Sequence, residues 1–334
     1  MNSRPNRPTG REFRWRRSDV VVRTLAILGP TASGKSSVAM AVATVSSSNT
    51  PVEIVAVDAM QIYRGMDIGT AKPTPDERDR IPHHLIDLVE PSEEFTVARF
   101  QREFSTVRSD VEARGVSAIL VGGTGLYVRA VVDGLDIPGH WPDIRARLEA
   151  EVERDGTTDT YERVRRLDPV AASRIEPNNA RRIVRALEVI EGSGRPFSSF
   201  GPGVDTYPES EVLQVAIRWD RERLSRRITE RVHSMMAAGW LDEVSRLADQ
   251  PLSRTASRAL GYHELFEHLA GRTSLDDAIE TIVLRTRQYA VRQERWFRRD
   301  PRIEWFDVGP GEFDDEGLMS DVTARILARW RQPA

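Results

Sequence analysis

Eight residues, Gly29-Pro30-Thr31-Ala32-Ser33-Gly34-Lys35-Ser36, have the types and spacing to hold a polyphosphate. Gly29 and Gly34 let the backbone curl until several N–H groups face one anion. Lys35 adds a full positive charge, and Ser36 offers a hydroxyl to Mg²⁺. The apolar run before them, residues 25–28, reads as a strand, and the stretch 36–45 after them reads as a helix. A helix starting there aims its positive end at the same anion. The implied chemistry is binding of a di- or triphosphate.

A carboxylate belongs to the same edge. Asp58 ends the apolar run 54–57, so a parallel sheet brings it to the end where the phosphate loop lies. It suits a Mg²⁺ ligand or a general base; its plainer role is to cap a following helix. A third apolar run, 118–121, ends in Gly122-Gly123-Thr124-Gly125 instead of the acid common in P-loop ATPases, which disfavours a motor-type ATPase. Those glycines let another group or a second substrate approach the backbone, and Thr124 can donate to an anion or to Asp58. Of 48 basic residues, Lys35 and Lys72 alone are lysines. Both lie in glycine-bearing loops, where a compact ammonium suits a phosphate; Lys72 reads equally as a solvated loop lysine.

Arginine is clustered although the net charge is −3. Arg285, Tyr289, Arg292, Trp296 and Arg299 fall on one helical face, alternating guanidinium with ring. That pattern suits an RNA path, with bases stacked and phosphates held; it equally suits rings in a core with Arg snorkelling beside them. Arg181, Arg182 and Arg185 form a second patch, which reads equally as a solvated helix end.

Positioning these groups requires alternating strands and helices. Apolar runs at 24–28, 54–57 and 118–121 alternate with helical stretches at 36–45 and 96–113, which predicts a parallel sheet with helices on both faces. From 140 to 205 the pattern becomes all-helical, and a strand at 212–217 then returns to the sheet. The expected fold class is α/β: a P-loop NTPase-like parallel sheet flanked by helices, with an all-helical insertion domain. The expected parts are a disordered basic tail at 1–19, a core of 20–139 and 206–334, and the insertion at 140–205. Zero cysteines exclude disulfides, thiolate metal sites and a cysteine nucleophile. No apolar run approaches the ~20 residues of a membrane span and no signal peptide is visible, so the reading is a cytoplasmic protein without membrane contact, acting as a monomer.

Taken together, GPTASGKS (29–36), VDAMQIYRGMDIGTAKP (57–73), PHHLID (82–87), LVGGTGLYVRAVVDG (120–134), RRIVRALEV (181–189), LGYHE (260–264) and TRQYAVRQERWFR (286–298) closely resemble the tRNA dimethylallyltransferase family. The resemblance implies transfer of a dimethylallyl group from dimethylallyl diphosphate to N6 of adenosine 37 in tRNA. It places the diphosphate on Gly29, Pro30, Thr31, Ala32, Ser33, Gly34, Lys35, Ser36 and Arg231, with Mg²⁺ at Ser36. Asp58 becomes the proposed general base, and Thr124 a hydrogen-bonding partner within the site. Implied tRNA contacts are Asp58, Ala59, Met60, Gln61, Arg181, Arg182, Arg185, Arg258, Gly261, Tyr262, Arg292, Arg295, Trp296 and Arg298. Two positions depart from the family pattern: Ala59 where serine is usual, and His263 where Lys or Arg is usual. Without cysteine the zinc finger of eukaryotic relatives cannot form, so the bacterial form fits. Competing readings are a small-molecule kinase, a prenyltransferase acting on free AMP or ATP, and a nucleotide-gated RNA-binding module.

Overall fold

Among the described residues six strands run in parallel: β1 (Leu25–Leu28), β2 (Val52–Val57), β3 (His83–His84), β4 (Ser117–Gly122), β5 (Leu213–Arg218) and β6 (Glu304–Asp307). Their order across the sheet is β3-β2-β4-β1-β5-β6. The computed structural model describes residues 24–47, 51–201, 203–204, 206–309 and 315–332, so the expected tail at 1–19 lies outside the described residues. Every residue of β1 and β2 is buried, as expected for strands covered on both faces. Sequence reading misses β3 and β6 for a physical reason. The first is two histidines long, and Glu-Trp-Phe-Asp in β6 is only half-buried, so neither presents an apolar run.

Register sets the site. Gly122 of β4 lies level with Leu28 of β1 and with Val57 of β2. The three carboxyl ends therefore open at one height, which brings the phosphate loop, Asp58 and the Gly122–Gly125 turn together.

One sheet face is covered by α1 (Lys35–Ser46) and α14 (Asp315–Trp330), with Ile27, Val38, Val42, Val215 and Val322 in that core. The other is covered largely by α3 (Val97–Ala113), α4 (Gly125–Val132), α9 (Arg221–Ala237), α10 (Trp240–Ala248), α12 (Tyr262–Leu269) and α13 (Leu275–Phe297). A short helix, Pro75–Arg80, is closed at its start by a capping box between Thr74 and Glu77. Helix α4 begins at Gly125, the last residue of the glycine-rich stretch that follows β4.

The inserted helices are Pro142–Asp155, Thr158–Leu167, Pro169–Ala172 and Ala180–Ser193. They pack on their own apolar cluster, centred on Leu148, Val164, Ile183 and Leu187. The returning chain is tied down by buried Arg129, which donates to the Val204 and Thr206 carbonyls and lies 4.5 Å from the Tyr207 ring centre. Among the described residues, no helix is long and apolar enough to cross a membrane.

Candidate active site

The phosphate loop takes the shape its glycines permit. Gly34 sits at φ +85° as the N-cap of α1, and Ala32 is held at φ +62°. A left-handed alanine is strained, and neighbouring donors hold it. Arg227 Nε donates to the Ala32 carbonyl and Trp219 Nε1 to the Ser33 carbonyl, both at 3.0 Å. These two contacts hold the loop from one side, and Thr31, Lys35 and Ser36 face the other.

That side opens into a cleft of about 1250 Å³. Thr31, Lys35, Ser36, Asp58, Ala59, Met60, Gln61, Thr124, Arg181, Arg231, Arg258 and Tyr262 all line it. Lys35 reaches across the loop to the Pro30 carbonyl at 3.3 Å. Burial, and then the positive charge of Arg231, push its ammonium down to about 8, with Asp58 acting in the opposite sense. Burial lowers Arg231 too, again against Asp58. Two desolvated cations facing one carboxylate make a site short of negative charge, and a polyanion supplies it.

Asp58 Oδ1 accepts the Met60 N–H at 2.8 Å. It caps a local turn, since no helix follows directly, and it faces the cleft. Gln61 Nε2 donates to the Thr70 and Ala71 carbonyls, both at 3.1 Å. Those carbonyls belong to a loop fastened from behind by Glu243, which accepts the Asp67, Ile68 and Gly69 N–H groups and the Tyr262 hydroxyl.

Several expected site residues are placed differently. Tyr262 is 1 % exposed and spends its hydroxyl on Glu243, so it builds the wall from within. Gly261 lies against the Trp240 ring, which a Cβ there would meet at 2.1 Å. Arg185 donates to the Pro138 carbonyl and pairs with buried Glu188, at the base of the insertion. Arg182 points along the outside of the insertion, toward the Arg174 carbonyl. Trp296 packs edgewise into the core, against Gly125. Arg292 is exposed above the Tyr289 ring, and Arg295 and Arg298 line a separate groove of about 420 Å³ on the far side of α13. Ser33 is fully buried, so its hydroxyl does not reach the cleft.

Lys72 corrects both readings offered for it. Its side chain is 1 % exposed, and its ammonium reaches the Tyr63 carbonyl at 2.5 Å and the carboxylates of Asp67 and Asp87 at 2.6 Å. It is neither solvated nor free for phosphate. The glycines of the 122–125 turn are approached by the protein's own groups. A Cβ would meet the Val57 carbonyl at Gly122, Gln293 at Gly123 and Trp296 at Gly125.

Sequence reading misses His140, Arg145, Arg254 and Gln293, which line the cleft together with Tyr289, a residue it names only as a ring of the Arg–aromatic face. Tyr289 and Gln293 lie inside the 286–298 segment; isolated Arg145 and Arg254 carry no local signal. Arg254 of the core lies 3.6 Å from Glu149 of the insertion, a bridge between the two parts. Burial foremost, and then the charge of Asp58, push Tyr289 up to about 12, so it is a neutral donor near neutral pH.

A Mg²⁺ ion fits the donor set. Ser36 is exposed at the first turn of α1 and lines the cleft with Asp58. This ion commonly takes one or two carboxylates and completes its shell with phosphate oxygens and water. Among the described residues there is no group of three or more His, Asp or Glu that would form a dedicated metal cage.

Fold and site define a P-loop-type α/β protein that sets a polyphosphate pocket beside a carboxylate in a cleft large enough for a second substrate. Comparison with known proteins narrows the class. The family described as IPP transferase matches residues 61–300, and that described as isopentenyl transferase matches 22–92. The tRNA dimethylallyltransferase of Thermobifida fusca is 48 % identical, over 92 % of this chain and 98 % of its own length. That of Geobacter metallireducens is 47 % identical, over 90 % and 96 %. The solved tRNA isopentenylpyrophosphate transferase of Bacillus halodurans is 36 % identical with a TM-score of 0.63, covering 92 % of this chain and 97 % of that one. The chain belongs to the IPP transferase family.

Proposed function

We propose that this enzyme transfers the dimethylallyl group of dimethylallyl diphosphate to N6 of adenosine 37 in the anticodon loop of tRNA, releasing diphosphate. Family membership supports the class of reaction. The observation that carries the assignment of roles is the pair of desolvated cations, Lys35 and Arg231, facing Asp58 across one cleft.

The chemistry follows from those positions. The allylic C–O bond breaks toward the diphosphate, and the carbon that gains positive charge is taken by the adenine amine. Stabilising the departing anion is the larger task, and it falls to Lys35, Arg231 and the N–H groups at the start of α1. Asp58 accepts the N6 proton and makes a poor nucleophile serviceable. When bound, Mg²⁺ would neutralise charge on the diphosphate; Ser36 would hold it. The target base must leave its stack to enter. Arg145, Arg181, Arg254 and Arg258 around the cleft are suited to the phosphates flanking it. Exposed Arg292 of α13, above the Tyr289 ring that lines the cleft, extends that basic surface, whereas Arg295 and Arg298 lie in the separate groove on the other side of the helix. A single chain completes the cleft, which supports action as a monomer, and the tRNA acceptor supports a cytoplasmic setting.

The test is incubation with radiolabelled dimethylallyl diphosphate, Mg²⁺ and unmodified tRNA, with AMP and ATP as rival acceptors. Label is expected in tRNA. Its absence there overturns the proposal, and label in AMP establishes the free-nucleotide reaction instead.

A further inference from the structure

Gln293 of α13 stands between the two loops that frame the reaction. Its Oε1 accepts the Thr31 N–H of the phosphate loop, and its Nε2 donates to the Gly123 carbonyl beside Thr124, each at 2.8 Å. The side chain is 7 % exposed. A Cβ at Gly123 would lie 2.4 Å from Nε2, so glycine is what lets the amide seat itself. The two contacts demand opposite characters, an acceptor toward Thr31 and a donor toward Gly123. A primary amide has both on one carbon, whereas a carboxylate has two acceptors and a thioether essentially none.

We propose that Gln293 is a positioning residue that fixes the distance between the donor's leaving group and the acceptor's amine. It touches neither reacting atom. The Thr31 end sets the phosphate loop, and through it the diphosphate; the Gly123 end sets the turn that holds Thr124 on the cleft beside Asp58. The Thr31 amide is thereby committed to Gln293, leaving the N–H groups of the α1 start for the diphosphate. A displacement of one ångström between reacting partners costs about a hundredfold in rate without weakening either one's binding. The inference rests on the prenyl-transfer reading.

Two variants test it, each assayed beside wild type for kcat, for KM of the prenyl diphosphate and of tRNA, and for thermal unfolding. Gln293→Met keeps the volume and loses both bonds. Its kcat is expected to fall about 10- to 100-fold, with donor KM within about threefold of wild type. Gln293→Glu discriminates further. As a carboxylate it opposes the Gly123 carbonyl; once protonated, its C=O accepts from Thr31 and its O–H donates to Gly123. The ratio of its kcat to that of wild type, at saturating donor, is therefore expected to rise as pH falls from 7.5 to 5.5, and in Gln293→Met that ratio stays flat. Retention of kcat in Gln293→Met, a rise confined to donor KM, or a pH-independent ratio in Gln293→Glu each overturns the proposal. If Gln293→Met does not fold, the pH dependence of Gln293→Glu decides alone. Wild type that transfers no label to tRNA refutes the functional reading instead, and so separates the two failures.

Discussion

The duties proposed for Asp58, as base, and for Lys35, as partner of the leaving group, are opposite, and each can be tested apart from the other. Asp58→Ala removes the proton acceptor but not the basic mouth of the cleft. Turnover is expected to drop by about 10²–10⁴ while tRNA is still retained in a filter-binding assay. Normal turnover would remove Asp58 as base. Lys35 predicts a pH dependence whose sign follows from its environment. Burial and Arg231 bring its ammonium down to about 8, below its usual 10.5. The free enzyme therefore gives up this proton as pH rises past 8, and binding the anionic diphosphate draws a proton back onto Lys35. Donor KM is expected to be flat below that pH and to climb by up to about tenfold per unit above it, as one proton becomes linked to binding. A donor KM constant from pH 7 to 9.5 would show that Lys35 does not pair with the leaving group.

At the scale of elements, the cleft depends on loops held from outside. Three successive N–H groups, at Asp67, Ile68 and Gly69, converge on the buried carboxylate of Glu243 in α10. Glu243→Ala strands these donors and the Tyr262 hydroxyl, and is expected to cost roughly 3 kcal/mol or more in a denaturant titration. A loss below about 1 kcal/mol would mean that water or relaxation satisfies them. These fasteners also mark the boundary of what sequence discloses. The phosphate loop, Asp58 and the Gly122–Gly125 turn are legible because each is a local pattern at the end of an apolar run. Glu243 meets Ile68 across 175 residues, and Gln293 meets Thr31 across 262, so no local spacing points to either. The same limit applies to Lys72. A glycine-bearing loop suggests a phosphate, but one of its two counter-charges, Asp87, comes from beyond the next helix. The alternating face of α13 is legible as a periodicity and not as a role. Trp296 goes to the core edge, Tyr289 to the cleft and Arg292 to the surface.

At the scale of the molecule, a chain of net charge −3 sets Arg145, Arg181, Arg231, Arg254 and Arg258 around one opening. Phosphate contacts made there release counterions, so tRNA KM is expected to rise steeply between about 50 and 200 mM salt, and more steeply than donor KM. Equal slopes would place tRNA away from this opening. The division into core and insertion is legible from the change of rhythm near residue 140; the Arg254–Glu149 bridge across the cleft is not, because neither residue belongs to a motif. The rarity of lysine has a practical consequence as well. Of the two lysines in 334 residues, one is locked between Asp67 and Asp87 and the other looks into the cleft. Reductive methylation with ¹³C-formaldehyde should therefore tag Lys35 ahead of Lys72, with the chain's α-amine as a second labelled site told apart by its chemical shift. The protein has its own spectroscopic reporter at the leaving-group pocket, and donor arrival, diphosphate departure and the titration near pH 8 should each shift that one methyl resonance.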